Sequence, residues 1–178
     1  MAVEKKVRSP ARKPGLWSAL LLTLAAAGAA SAASADSPKM ADYPATPVAG
    51  TLQTIDMNSD PDAGMFKTRL GYLIGEPANF AGDNVLTFWG CGTGCQMLAM
   101  VNLPTGKVTV FSEELIASNG YCYRADSRLL MVNPLEEYME PEDAYYFKTG
   151  FYLWDGSQFK LLAETAPVHP DGPCDIGE

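Results

Sequence analysis

Four cysteines constrain the fold of this 178-residue chain more than any other feature, because each bridge between two of them fixes a contact that local sequence cannot specify. They are Cys91, Cys95, Cys122 and Cys174. Four cysteines allow three connectivities when all are paired, and disulfides persist only in an oxidising compartment. The destination of the chain therefore decides how these cysteines are interpreted.

The N-terminus predicts export. Five basic residues lie within the first 13 positions, residues 16–30 are mostly Leu and Ala, and small residues follow. This order is typical of a secretory signal peptide, and the A-x-A sequence at 33–35 predicts cleavage after Ala35. The alternative is a retained anchor, although the apolar run is shorter than the ~20 residues that span a bilayer. We therefore expect a periplasmic or secreted protein with no stable membrane insertion after cleavage.

In an oxidising compartment the four cysteines are expected to form two disulfides. We favour Cys91–Cys95, because the two glycines between them let a short loop bend sharply. We favour Cys122–Cys174 for a separate reason: residues 166–178 have no apolar face of their own, so a cysteine there is best explained as a tether. Pairing of Cys122 with Cys91 or Cys95 is the alternative.

Removal of the signal peptide makes the chain strongly acidic. Subtracting its five Lys/Arg and one Glu from the totals of 13 and 21 leaves 8 basic and 20 acidic residues, a net charge of −12. Such a surface repels phosphate backbones and anionic lipids, so we expect no nucleic-acid partner. It attracts basic proteins, although the same charge also serves solubility alone.

Beyond residue 35, we predict one domain with two flanking segments. Residues 36–50 are rich in Pro, Ala and Thr and are predicted to be a flexible linker. Residues 51–165 are long enough to form a single β-rich domain with one core. Residues 166–178 are predicted to be a tail that Cys174 tethers.

The pattern within the domain predicts a mainly β fold, with an α+β fold as the alternative. Between residues 51 and 79, a short helix is predicted from apolar residues at helical spacing, which are Phe66, Leu70, Leu73 and Ile74. Strands are predicted at 85–89, 96–101, 107–111, 121–124, 128–132, 145–154 and 157–162. Asp155-Gly156 suits a two-residue hairpin turn. Successive hairpins with short connections predict an antiparallel meander.

Three segments resemble a group of uncharacterised exported bacterial proteins. They are the loop WGCGTGCQ at residues 89–96, the strand DSRLL at 126–130 and the C-terminal hairpin WDG at 154–156. The resemblance covers most of residues 66–163 and implies no activity, cofactor or catalytic residue. Cys122 and Cys174 do not belong to the shared pattern, which is weak support for their pairing with each other.

Six residues form a candidate partner-binding loop between two predicted strands: Glu136, Glu137, Tyr138, Glu140, Glu142 and Asp143. A concentrated acidic loop can dock a basic protein, although such a loop is more often simply solvated. No catalytic residue, metal ligand or cofactor is predicted. Residues 56–62 carry oxygen-bearing side chains at alternate positions, as the start of a calcium-binding loop does. However, Pro61 lies where that loop has a glycine, and Lys67 lies where it has a bidentate Glu. We therefore predict a polar turn for this segment.

The leading functional hypothesis is a non-enzymatic binding module, for example an inhibitor or docking partner of a basic protein such as a cationic hydrolase. One alternative is an enzyme or thiol-exchange protein that uses the Cys91/Cys95 loop. Against it, active dithiols usually lie at the start of a helix, and His169 is the only histidine available as a base. Another alternative is a structural component of an envelope complex, whose contacts are exposed aromatic residues.

Overall fold

The computed structural model describes residues 37–174, except positions 112, 114 and 145. The predicted signal peptide, its cleavage site and residues 175–178 lie outside the described residues. The protein is mainly β, as predicted, and contains a three-stranded and a four-stranded antiparallel sheet. No helix in the described ranges has the length and apolar character needed to cross a membrane.

Both sheets are meanders in which neighbouring strands follow each other in the chain. Sheet 1 contains β1 (Asn84–Gly92), β2 (Cys95–Asn102) and β3 (Val108–Phe111). Sheet 2 contains β4 (Tyr121–Cys122), β5 (Leu129–Val132), β6 (Thr149–Trp154) and β7 (Phe159–Thr165). The predicted meander is therefore confirmed, and it divides into two sheets between β3 and β4.

The two sheets pack against each other through the central core. Leu86 and Met100 of sheet 1 share a buried cluster with Leu130, Val132 and Trp154 of sheet 2. Because strand side chains alternate between faces, the intervening residues point away from this core. They are buried as well, in two further clusters on the outer faces of the sheets. This double coverage explains the nearly continuous apolar sequence of β2.

The outer face of sheet 1 is covered by the segment that sequence analysis assigned to a helix. A 3-10 turn (Ala63–Phe66) leads into α1 (Lys67–Gly71). Leu70 and Leu73 are buried against sheet 1, as their spacing predicts, but Ile74 is 49% exposed. The predicted placement of Ile74 on the same face is wrong because the helix ends at Gly71, before another turn forms.

The outer face of sheet 2 is covered by chain segments from both ends of the described region. Met40, in the segment predicted to be a flexible linker, is buried beside Phe151. The backbone of this segment is also bonded to the domain: Ala45 N donates to Asp126 O at 2.8 Å, and Arg128 N donates to Tyr43 O at 2.8 Å. Residues 40–48 thus pack as part of the domain.

Two local predictions in sheet 2 are corrected. The strand predicted at 145–154 begins only at Thr149, because Phe147 turns into a small cluster with Leu135 and Ala144. The predicted two-residue turn at Asp155-Gly156 is a four-residue loop, since Trp154 pairs with Phe159. The Asp155 carboxylate accepts the N–H groups of residues 157 and 158, at 2.9 and 3.0 Å, and so stabilises the longer loop.

The segment that resembles a calcium loop is a polar turn, as predicted. Asp56 Oδ1 accepts the N–H of Asn58 at 3.0 Å. Asp60 accepts the N–H of Asp62 at 2.8 Å and the N–H of Val110 at 3.0 Å, one on each carboxylate oxygen. The Asp56 carboxylate therefore stabilises the turn itself, and the Asp60 carboxylate also fastens the segment to β3. Across the described chain, no group of three or more His, Cys, Asp or Glu side chains is arranged to hold a metal ion.

Candidate functional site

Both predicted disulfides are present. Cys91–Cys95 closes the tip of the β1–β2 hairpin, where Gly92 pairs with Cys95 after a register shift. Cys122–Cys174 joins β4 to the C-terminal tail over a sequence separation of 52. The first bridge is local, whereas the second determines where the tail lies. The structure thus agrees with the favoured connectivity, and both bridges fit an exported protein.

A cleft of about 950 Å³ lies where the tethered tail meets the rest of the domain. Its walls come from four parts of the chain: the β1–β2 hairpin, the connection into β4, the start of the acidic loop, and the tail. The lining residues are Phe88, Gln96, Ser118, Asn119, Gly120, Tyr121, Pro134, Leu135, Glu136, Glu137, Tyr138, His169, Pro170, Gly172, Pro173 and Cys174. The cleft therefore depends on tertiary contacts between distant segments.

Asn133 connects two of these walls. Its φ of +56° is a left-handed conformation, which Asn tolerates better than most residues. Its side-chain Oδ1 accepts the N–H groups of Ser118 at 2.6 Å and Asn119 at 2.9 Å. Asn119 Nδ2 in turn donates to Pro134 O at 2.7 Å. These bonds hold the connection into β4 against the chain that enters the acidic loop, which gives the cleft a fixed shape.

Backbone bonds hold the tail wall in addition to the disulfide. Leu135 N donates to Val168 O at 2.9 Å, and Val168 N donates to Thr149 Oγ1 at 3.2 Å. Asp171 Oδ2 accepts the N–H of Met40 at 3.2 Å. The tail is thus attached at Val168, Asp171 and Cys174, and the residues between these points form the wall.

The cleft is acidic. With His neutral, Glu136 and Glu137 are the only charged side chains among the described residues that line it, and no Lys or Arg is among them. The neighbouring Glu136 carboxylate, as a hydrogen-bond acceptor and by its charge, raises the pKa of the Tyr138 phenol. Tyr138 is 81% exposed, so its ring is available to a partner. An exposed aromatic ring beside a carboxylate is a suitable contact for a cation.

Two of the residues that line the cleft, Tyr121 and Gln96, carry buried polar groups. The Tyr121 hydroxyl lies 2.6 Å from Leu115 O and 2.8 Å from Gln96 O, and burial raises the pKa of this phenol. The Gln96 side-chain oxygen, Oε1, is buried and accepts no hydrogen bond within the described part of the chain. A buried acceptor without a donor is uncommon in folded proteins and needs an explanation.

The structure separates the six predicted partner-binding residues into two groups. Glu136, Glu137 and Tyr138 line the cleft, whereas Glu140, Glu142 and Asp143 are exposed on the same loop outside its lining. The loop is anchored by Leu135 and two further buried residues, Ala144 and Phe147. The predicted set is therefore one loop, but only its first half contributes to a cavity.

Sequence analysis considered His169 only as a possible catalytic base, and it did not single out Gln96, Asn119, Pro170 or Pro173. The Cys122–Cys174 pairing was a usable indication for the tail, since it brings residue 174 next to β4. No local pattern distinguishes Gln96 from any other glutamine. Its position became visible only from the cavity and from its missing hydrogen bond.

The same geometry bears on thiol chemistry. Cys91 is exposed, but the Cys91–Cys95 bridge lies between two strands rather than at the start of a helix. His169 lines the cleft near the second bridge, where the sulfur of Cys174 is joined to Cys122. All four sulfurs are therefore in disulfides in this structure.

The chain was compared with models of known protein families, with curated proteins and with solved structures, and nothing matched it in any of the three comparisons.

Proposed function

We propose that this protein is an exported, non-enzymatic binding module that docks a basic protein at the acidic cleft. One observation carries the proposal: a cavity of about 950 Å³ in which the charged side chains, among the described lining residues, are two carboxylates and no cation. Its size falls in the range of specific ligand sites, about 300–1,000 Å³. Charge complementarity then favours a partner that inserts a positively charged segment.

The construction of the site supports a pre-formed docking surface. Asn133 fixes one wall through its left-handed backbone and two accepted hydrogen bonds, and Cys122–Cys174 fixes the opposite wall. A rigid site loses little conformational entropy when a partner binds. The exposed Tyr138 adds the type of side chain that dominates many protein interfaces. The cleft thus combines shape, charge and an aromatic anchor.

The strongly acidic mature chain supports the same class of partner. Long-range attraction accelerates the encounter with a basic protein and weakens as salt screens it. The predicted signal peptide and the two disulfides support export, so we expect a partner in the same compartment. A cationic hydrolase such as a lysozyme is therefore a suitable first probe, with inhibition of its activity as a second readout.

The test uses the mature protein, a purified lysozyme and two matched double variants. Glu136→Gln with Glu137→Gln neutralises the cleft, and Glu142→Gln with Asp143→Asn removes the same charge from the outer part of the loop. Calorimetry at about 0.01 M and 0.15 M salt spans Debye lengths from about 30 to 8 Å. We expect salt-sensitive binding that the cleft variant weakens by about tenfold or more, since one lost charged hydrogen bond amounts to about 1.5–3 kcal/mol.

Two results would remove the proposal. Absence of salt-sensitive binding to lysozyme and to a lysine-rich control protein means that the acidic surface does not dock basic proteins. If the two double variants weaken lysozyme binding equally, the overall negative charge of the loop attracts the partner, and the cleft has no specific role.

A further inference from the structure

We infer that the cleft takes an arginine side chain of its partner, and that Gln96 is the residue that selects arginine over lysine. This inference rests on the proposed function and names the ligand group of the same site. Its starting observation is independent of the acidic loop: Gln96 lines the cleft, and its buried side-chain oxygen lacks a donor among the described residues.

The position of Gln96 is fixed by its backbone. Gln96 N donates to Ala117 O at 2.8 Å, and Ala117 N donates to Gln96 O at 3.1 Å, so the residue is bridged to the connection into β4. Tyr121 OH also lies 2.8 Å from Gln96 O. The backbone polar groups of Gln96 are thus satisfied, whereas the buried side-chain oxygen has no hydrogen-bond partner among the described residues.

The oxygen lies beside Gly120. A Cβ atom at position 120 would lie 3.6 Å from Gln96 Oε1, and the φ of Gly120 is +80°. The terminal torsion of glutamine is broad, so the amide can rotate and present the oxygen to the cleft when a donor enters. An unsatisfied buried acceptor destabilises the free protein, and a ligand that supplies the donor recovers that free energy.

The donor requirement and the charge of the cleft together favour a guanidinium group. The site offers a neutral acceptor, Gln96 Oε1, and carboxylate acceptors, Glu136 and Glu137. A guanidinium presents five N–H donors in a planar fork and stacks on aromatic rings such as that of Tyr138. A lysine ammonium is a compact, strongly hydrated point charge, so it is less suited to bond acceptors of two kinds while it lies against a ring.

The experiment uses the mature, disulfide-bonded protein and three short peptides: acetyl-Gly-Arg-Gly-amide and its lysine and norleucine counterparts. NMR titration gives the affinity of each peptide for the parent protein, for Gln96→Met and for Gln158→Met. Met matches the length of Gln without its amide. Gln158 is exposed in the β6–β7 loop and does not line the cleft, so its variant is the matched control.

We expect the parent to bind the arginine peptide about five- to tenfold more tightly than the lysine peptide, and the norleucine peptide not measurably. Gln96→Met should lower arginine affinity about tenfold, which corresponds to about 1.4 kcal/mol, and should remove the preference over lysine. Gln158→Met should change neither value. The stability of Gln96→Met should equal or exceed that of the parent, because the substitution removes an unsatisfied acceptor.

The inference and the proposed function fail in different ways. Equal affinity for arginine and lysine, or an unchanged preference in Gln96→Met, overturns the role of Gln96 even if the cleft still binds lysozyme. Failure of both cationic peptides together with lysozyme removes the proposed function as well. Loss of peptide binding in Glu136→Gln/Glu137→Gln but not in Gln96→Met keeps the acidic docking site and rejects the arginine-selecting residue.

Discussion

The two disulfides are predicted to contribute unequally to stability, and their sequence separations give the size of the difference. In the chain-entropy description, a bridge stabilises by restricting the unfolded chain, and the effect grows with the logarithm of the loop it closes. Cys122–Cys174 has a separation of 52 and Cys91–Cys95 a separation of 4. These values correspond to about 4 and about 2 kcal/mol of unfolding free energy at 25 °C.

The test compares Cys122→Ala/Cys174→Ala with Cys91→Ala/Cys95→Ala, since each double variant removes one bridge without leaving a free thiol. Packing increases the expected contrast: Cys122 is 1% exposed within the outer core of sheet 2, whereas Cys91 is exposed at a hairpin tip. Urea unfolding at neutral pH, followed by Trp89 and Trp154 fluorescence, gives both free energies. A loss of about 4 kcal/mol would be a large share of the about 5–15 kcal/mol typical of a domain.

An equal loss in the two variants, or a larger loss for the hairpin bridge, would refute this reasoning. It would mean that the tail is held mainly by its other attachments, such as the Leu135–Val168 backbone bond and the Met40–Asp171 bond. A structural readout separates these cases. If the bridge positions the tail, backbone NMR relaxation should show increased mobility of Gly172 and of the residues next to Pro173 in Cys122→Ala/Cys174→Ala, but not in Cys91→Ala/Cys95→Ala.

Two further predictions concern a turn and a buried hydroxyl. Gly106 has a φ of +70°, and a Cβ there would lie 2.6 Å from Thr54 O, whereas Gly94 has a φ of +62° and open space around it. Gly94→Ala should therefore lower the free energy of unfolding by about 1 kcal/mol through backbone strain alone, and Gly106→Ala should lower it by about twice that or more. Urea unfolding measures both values, and equal losses of stability would show that the Thr54 contact relaxes freely. Tyr121→Phe should cost about 1–2 kcal/mol at pH 7, because Leu115 O loses its donor. The folded-state pKa of Tyr121 is raised, so its contribution is fully present below the unfolded pKa of about 10 and is lost as pH rises above it. Between pH 9 and 10.5 the parent should thus lose about 1 kcal/mol more than Tyr121→Phe, and parallel pH curves would contradict this assignment.

The strands were predictable where local sequence and tertiary environment agree. The predicted strands at 85–89 and 96–101 lie inside β1 and β2, because both faces of sheet 1 are covered and apolar residues suit every position. Prediction failed where side-chain bonds within a loop override the preference of two residues. Asp155-Gly156 favours a two-residue turn by composition, but the Asp155 carboxylate also accepts two backbone N–H groups and pairs with Lys160 at 2.8 Å. Those bonds stabilise a four-residue loop that no dipeptide rule describes.

The cleft was not predicted from the sequence for a different reason, which is that its walls are far apart along the chain. Its walls lie at residues 88–96, 118–121, 134–138 and 169–174, and hydrophobic periodicity relates only residues within one element. Paired cysteines are the exception, because a predicted disulfide specifies a contact between residues that are distant in the sequence. Once Cys122 is paired with Cys174, the tail must pass beside β4, and the acidic loop that begins after β5 becomes its neighbour because β5 pairs with β4. The acidic wall and the tail wall were therefore derivable from the sequence together, whereas the unsatisfied oxygen of Gln96 depends on the placement of single atoms and required the structure.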